Sequence, residues 1–539
     1  MSRFVVLLFV GLAWAPAAVA QDLNPVLDSA FVQWNRTDAP GCTAGVRHGD
    51  REYQRAWGMA NLEYAVPLEP GSVLETGSVA KQFTAAAVVL LALDGKLSLE
   101  DDVRKYVSEV PDFGTTITLR HLLNHTSGLR DQWALYGIIG TPPGTMVHTI
   151  PGVLYLLSRQ RMLNFVPGAE YLYSNMGYVL LGVVVSRVSG QSLESFSQDR
   201  LFGPLRMTST RWRDDYRKMV PGRATAYQRS GSGWRQDMPF TMVHGNGGLL
   251  TTVGDLLRWN AALTDGTIPG GAELVRQLET RGRLTDGTTI NYALGLTVGE
   301  HRGTREISHG GSTAGYRTFL ARYPDQPLSM AILCNVANVN PAQLGHQIAD
   351  AVLGTVPDAP PSPAVVVAPE VMASMAGAYR DTTTDQFITI AVAAGRLTVS
   401  AGGPATPLTP IGDNQFWSPV AGTFQLVRAG SGWLVREGAS GPRVYLPAVP
   451  VADSAVPTAD YVGSYRSAEL DLTIEVRLER GRLLLLRPPG SLPALVPSYP
   501  DGFRAGGFTL RFVRNPAGQV TTLRIFAGRA RDVRFDRQP

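Results

Sequence analysis

The sequence predicts an α+β unit followed by two small antiparallel β-barrels. Strand-like segments lie near Cys42 and again near Met330, with mostly helical patterns between them. Helical patterns then stop at a proline-rich stretch, Asp358-Ala359-Pro360-Pro361-Ser362-Pro363, and short alternating strands follow. Those later strands carry an internal repeat.

The N-terminus has Arg3, an apolar run from Phe4, and Ala18-Val19-Ala20 before Gln21, the pattern of a signal peptide over residues 1–20. A membrane span needs about 20 apolar residues, and Pro16 leaves this run short. A periplasmic or secreted protein with no stable membrane span is expected. The main unit covers 21–357. Residues 41–46 and 52–57 read as one hairpin, and 316–323 with 328–335 as another, turning at Pro324-Asp325. Helical patterns between them include 118–123 and 177–188, so strands from both chain ends complete one antiparallel sheet. Cys42 and Cys334 are too few for a disulfide scaffold, and two buried thiols or one bridge fit equally well.

A semi-rigid linker is read at 358–369, then barrels at 370–450 and 458–539. Gly377, Tyr379 and Arg380 recur as Gly463, Tyr465 and Arg466, and Gly395-Arg396-Leu397 recurs as Gly481-Arg482-Leu483, all at an offset of 86 residues. Two copies of one β unit explain this register better than a single sandwich of the same length.

Composition narrows the function. With 539 residues, 44% hydrophobic and 17% charged, the chain can bury several cores. Its 49 basic and 45 acidic residues are interspersed, so no nucleic-acid footprint appears. Lysine is scarce: Lys81, Lys96, Lys105 and Lys218 only.

The apolar helix predicted from Gly77 to Gly95 begins Gly77-Ser78-Val79-Ala80-Lys81. Residues three apart share a helix face, which brings the Ser78 hydroxyl and Lys81 amine together where the helix N-terminus favours an anion. A buried lysine resists protonation and can take the serine proton; arginine could not. Tyr173-Ser174-Asn175 adds a phenol whose pKa an ammonium would lower, and an amide able to orient both lysine and substrate. His309-Gly310-Gly311-Ser312 opens a strand whose glycines admit a substrate and whose Ser312 N–H could pair with that of Ser78 as an oxyanion hole.

These motifs, in this order, resemble the penicillin-recognising serine hydrolase superfamily, in the branch of class C β-lactamases, DD-peptidases, family VIII esterases and D-aminopeptidases. The resemblance covers about residues 30 to 355 and includes the stretch from His121 to Leu129 and Gly247-Gly248-Leu249-Leu250-Thr251-Thr252. It implies a β-lactamase-like sheet flanked by helices, with an all-helical subdomain. The two barrels look most like D-aminopeptidases, in which a loop from the last barrel reaches the active site. Here only Arg504-Ala505-Gly506-Gly507 separates Phe503 from Phe508, a departure from that pattern.

The expected chemistry is acyl transfer through a Ser78 ester on amides or esters such as D-amino-acid peptides, cell-wall fragments, β-lactams or small esters. Lys81 and Tyr173 share the role of base, Asn175 and the 309–312 strand hold substrate, and no cofactor or metal is expected. His309 stands where relatives often place a permanent cation, and its charge should vanish above a pH near 6.5. The alternative is a peptide- or glycan-binding protein that keeps the fold without turnover. His121 and His125 have zinc-compatible spacing but lack a glutamate after His121 and an evident third ligand. His301 and His346 read as isolated positions.

Overall fold

The computed structural model describes residues 22–354, 365–418, 422–437 and 442–539. The predicted signal peptide and most of the predicted linker lie outside them.

Six strands form the central antiparallel sheet: β1 (Cys42–His48), β2 (Arg51–Trp57), β3 (Thr297–His301), β4 (Thr304–Thr313), β5 (Tyr316–Tyr323) and β6 (Leu328–Cys334), in the order β3-β4-β5-β6-β1-β2. Both expected hairpins are present, and β1 pairs with β6 so that the two chain ends close the sheet. In that register Cys42 faces Cys334, and the two form a disulfide.

Alternation along β6 divides the packing. Met330, Ile332 and Cys334 join the core under the helices Asn24–Ala30 and Pro341–Leu353, while Ala331 and Leu333 join the larger core on the other face. The centre of that larger core is α1 (Lys81–Leu93), whose residues from Lys81 to Leu91 are all buried. Phe83 stacks on Trp259 at 4.2 Å between ring centroids. The helix ends at Gly95, left-handed with φ +71°, where glycine carries no Cβ penalty. Two further helices shape the site, α2 (Gln132–Ile139) and α3 (Asn175–Ser189).

The helical pattern predicted from Gly77 begins instead as a 3₁₀ turn, Gly77–Ala80, that leads into α1. Gly77 sits at φ +52°, and a Cβ there would lie 2.6 Å from the Ser312 nitrogen. This glycine serves a close approach of turn to strand rather than helix propagation.

The first C-terminal repeat is a closed barrel of eight strands, from Gly377–Asp381 to Arg443–Pro447. The second curls similarly from Gly463–Ser467 to β8 (Ala530–Arg537), the partner of β7 (Val520–Ala527), but its nine-stranded ladder stays open between Gly490–Ser491 and Val496–Tyr499. Pro493 and Pro497 fall at that seam, and a proline supplies no N–H to a ladder. The repeat survives in detail: Tyr379 donates to the Met375 carbonyl at 3.0 Å and Tyr465 to that of Tyr461 at 2.8 Å. Leu135 and Ile138 of α2 enter the apolar core of the second repeat, which docks it beside the central site. No described helix is long and apolar enough to cross a membrane.

Candidate active site

Ser78 lies on the 3₁₀ turn and Lys81 opens α1, which places Ser78 Oγ 3.1 Å from Lys81 Nζ. Lys81 is fully buried, and Nζ also donates to Asn175 Oδ1 at 2.9 Å and to the Asn246 carbonyl at 2.6 Å. Burial is the main force holding the amine well below its ordinary pKa; the Asp131 charge opposes it and Arg529 adds to it. Nζ thus has three oxygens within hydrogen-bond distance, and of the three only the Ser78 hydroxyl can itself donate to the amine once the amine is uncharged.

Asn175 is positioned by Asp131, the N-cap of α2. Asp131 Oδ2 accepts from the Asn175 backbone N–H at 2.6 Å and from its Nδ2 at 2.8 Å, which turns the amide oxygen toward Lys81. The Asn246 carbonyl is held by its neighbour, since Thr84 of α1 donates to the Gly245 carbonyl at 2.7 Å.

Tyr173 packs against both. Lys81 Nζ is 4.8 Å from its ring centroid, and its buried phenol oxygen has no hydrogen-bond partner among the described residues. The sequence reading had an ammonium lowering this phenol. Burial instead raises it well above its ordinary value, only partly opposed by the nearby Ser78 hydroxyl and the Arg529 charge.

On the opposite wall β4 outruns β3, whose pairing stops at Ser308. Residues beyond it pair only with β5, so one edge faces the turn that carries Ser78. Gly311 permits the contact: a Cβ there would lie 1.9 Å from the Thr76 carbonyl oxygen and 3.2 Å from the Ser78 nitrogen. Together with the approach of Gly77 to the Ser312 nitrogen, this brings the backbone of Ser78 and that of Ser312 to the same turn–strand contact. Gly310 and Ser312 are exposed to the cavity.

His309 is buried, with Nδ1 2.6 Å from the Gly310 carbonyl and Nε2 3.0 Å from the Tyr292 hydroxyl. A carbonyl only accepts, so Nδ1 carries the proton and Nε2 accepts from Tyr292. Burial is the largest cause lowering His309 to about 4. The expected loss of charge near pH 6.5 is therefore corrected: the ring is already neutral throughout the mildly acidic range.

Ser78, Tyr173, Asn175, His309, Gly310, Gly311 and Ser312 line one cavity of about 1010 Å³, with Lys81 beneath it. Asp131, Asn246, Tyr292 and Arg529 were not singled out from sequence. Asn246 acts through a carbonyl that no residue type advertises, and Arg529 arrives from 450 positions away. His121 Nδ1 accepts from the Thr118 N–H in a capping box, and His125 Nδ1 from the Ser174 N–H, so the two rings serve different partners. His301 and His346 are not isolated. Their rings stack at 4.1 Å, and they pair with Asp350 and Glu306 respectively at 2.7 and 2.9 Å. With Glu306 they are the one described group whose spacing could approach a metal.

A Beta-lactamase family model matches residues 27–353. The chain belongs to the beta-lactamase family. It is 26% identical over 523 residues to a D-aminopeptidase of Brucella anthropi, covering 92% of this chain and 95% of that protein. A penicillin-binding protein of Bacillus subtilis (strain 168) is 29% identical over 316 residues, 55% of this chain and 68% of that one. The octameric penicillin-binding protein homologue from Pyrococcus abyssi shares the fold, with a TM-score of 0.56 at 22% identity over 78% of this chain and 99% of that structure. This beta-lactamase family member is thus a hydrolase-fold protein related to D-aminopeptidases and penicillin-binding proteins, and its likeness to the former continues into the C-terminal repeats.

Proposed function

We propose that the protein is an exported serine hydrolase that transfers acyl groups through a Ser78 ester. The observation that carries this reading is the Ser78–Lys81 contact at 3.1 Å, with an amine that burial holds well below its ordinary pKa. Ser78 Oγ attacks a substrate carbonyl carbon and its proton passes to Lys81 Nζ. The N–H groups of Ser78 and Ser312 stabilise the oxyanion, at about 3 kcal/mol per donor. Burial keeps the Tyr173 phenol protonated at neutral pH, so it holds a proton to give: the phenol protonates the leaving group and regains a proton from the Lys81 ammonium. Water then attacks the ester through the same relay. Asn175 orients lysine and substrate.

D-amino-acid peptides, cell-wall fragments, β-lactams and small esters all fit an amide- or ester-cleaving site. Export is supported by the N-terminal signal pattern and by the Cys42–Cys334 disulfide, which suits an oxidising compartment. The test is covalent labelling with a fluorescent penicillin and a fluorophosphonate, beside Ser78→Ala. Label on the native protein that Ser78→Ala loses is expected. No Ser78-dependent label with either reagent would favour the peptide- or glycan-binding alternative.

A further inference from the structure

The turn between β7 and β8 carries Gly528 and Arg529, and it enters the wall of the active-site cavity. Its backbone is clamped from the catalytic side: the Arg529 carbonyl accepts from the Asp131 N–H at 3.2 Å and from Asn164 Nδ2 at 2.9 Å, and Asn164 Oδ1 accepts from the Arg531 N–H at 2.8 Å. The Arg529 guanidinium lies 4.9 Å from the Tyr173 ring centroid and 4.0 Å from Asp131 Oδ2. Asp131 does not saturate it, because that oxygen already accepts twice from Asn175 and is almost wholly buried. The guanidinium donates no hydrogen bond among the described residues, and its side chain is 48% exposed, lining both this cavity and a neighbouring one beside Tyr171. The other cavity arginines are engaged: Arg213 closes on Glu75, and Arg317 folds back onto the Ala314 and Tyr316 carbonyls. His309 is neutral. Among the described arginines that line this cavity, Arg529 is the one whose guanidinium donates no hydrogen bond.

We propose that Arg529 forms a carboxylate-binding subsite, supplied by the C-terminal repeat, for substrates whose leaving group bears a free carboxylate. The side of the substrate follows from Tyr173: the phenol reading above makes it the donor to the leaving group, so a guanidinium over the same ring lies beside the departing half. An arginine fork suits a carboxylate in two-point geometry. The 504–507 stretch lines a separate cavity against the first barrel. The subsite rests on the acyl-transfer reading for its orientation.

The test compares an N-acetyl-D-alanyl dipeptide ending in a free carboxylate with its carboxamide, in native protein, Arg529→Met and Arg529→Lys. The native protein should favour the carboxylate by at least tenfold in kcat/KM, Arg529→Met should lose that ratio, and Arg529→Lys should regain part of it. The same ratio in Kd, measured by calorimetry on Ser78→Ala, decides the matter if neither peptide is turned over. A native ratio near one, or a ratio unchanged within twofold in Arg529→Met, overturns the proposal. N-succinyl against N-acetyl substrates with one neutral leaving group form the second arm; an Arg529-dependent preference confined to the succinyl group overturns the assigned side. Ser78-dependent turnover of p-nitrophenyl esters with a failed carboxylate ratio removes the subsite and leaves the hydrolase reading standing. Absence of any Ser78-dependent turnover or label removes the hydrolase reading, while the Kd ratio still tests the subsite.

Discussion

Arg130 Nη1 and Glu469 Oε2 meet at 2.6 Å across the junction between the catalytic unit and the second C-terminal repeat, with side chains 1% and 9% exposed. Arg130 also donates to the carbonyls of Arg531 and Asp532, and its chain neighbour Asp131 caps α2 and orients Asn175. Docking of the repeat and geometry of the site are thus tied to adjacent residues.

Glu469→Ala leaves the Arg130 guanidinium buried without its anion. Breaking one side of such a pair costs about 3–5 kcal/mol. Urea denaturation should show a loss of that order, where breaking an exposed pair such as Arg36–Asp38 would change little.

On the proposed mechanism, Gly311→Ala should separate the two oxyanion donors. Its methyl group has to displace the Thr76 carbonyl, which is backbone and cannot swing aside. A fall in kcat of about 100-fold or more is expected, the scale of losing one donor, with native circular dichroism retained. Unchanged kcat would mean that the Ser78 and Ser312 N–H groups do not act together.

Acid should weaken the fold through His309. The ring titrates at about 4 in the folded protein against an ordinary 6.5. Between those values the unfolded chain binds a proton that the native protein excludes, so this contribution is complete above pH 6.5 and is lost as pH falls toward 4. For this group the loss is about 3 kcal/mol. His309→Gln should flatten that limb in denaturation curves taken from pH 4 to 7, and an identical limb would contradict the assignment.

The Cys42–Cys334 bridge spans 292 residues of sequence, so it constrains the unfolded chain over a long loop. Replacing both cysteines by alanine should lower stability by about 2–5 kcal/mol, measured against the oxidised native protein. A reducing agent should produce a similar loss in the native protein and none in the double variant.

Much of this was legible in the sequence for identifiable reasons. Period-two alternation and the turn at Pro324-Asp325 gave the sheet hairpins, and an 86-residue offset exposed the repeat. Ser78 and Lys81 could be paired because three-residue spacing on a helix start fixes their distance. What escaped depends on long-range packing. Neither the Asn246 carbonyl nor the Arg529 hairpin has a local signal, and the pairing of His301 with His346 needs β3 beside the helix Pro341–Leu353. The direction of the Tyr173 shift also depends on long-range packing, because the burial that raises the phenol comes from segments distant in sequence.

The central claim is that Lys81 rests uncharged beside Ser78, and with four lysines in the chain a ¹³Cε titration by NMR can follow it directly, using Lys81→Arg for assignment. One resonance should titrate well below the ordinary lysine value of about 10.4 and vanish in Lys81→Arg. Four resonances titrating together at or above that value would contradict the account.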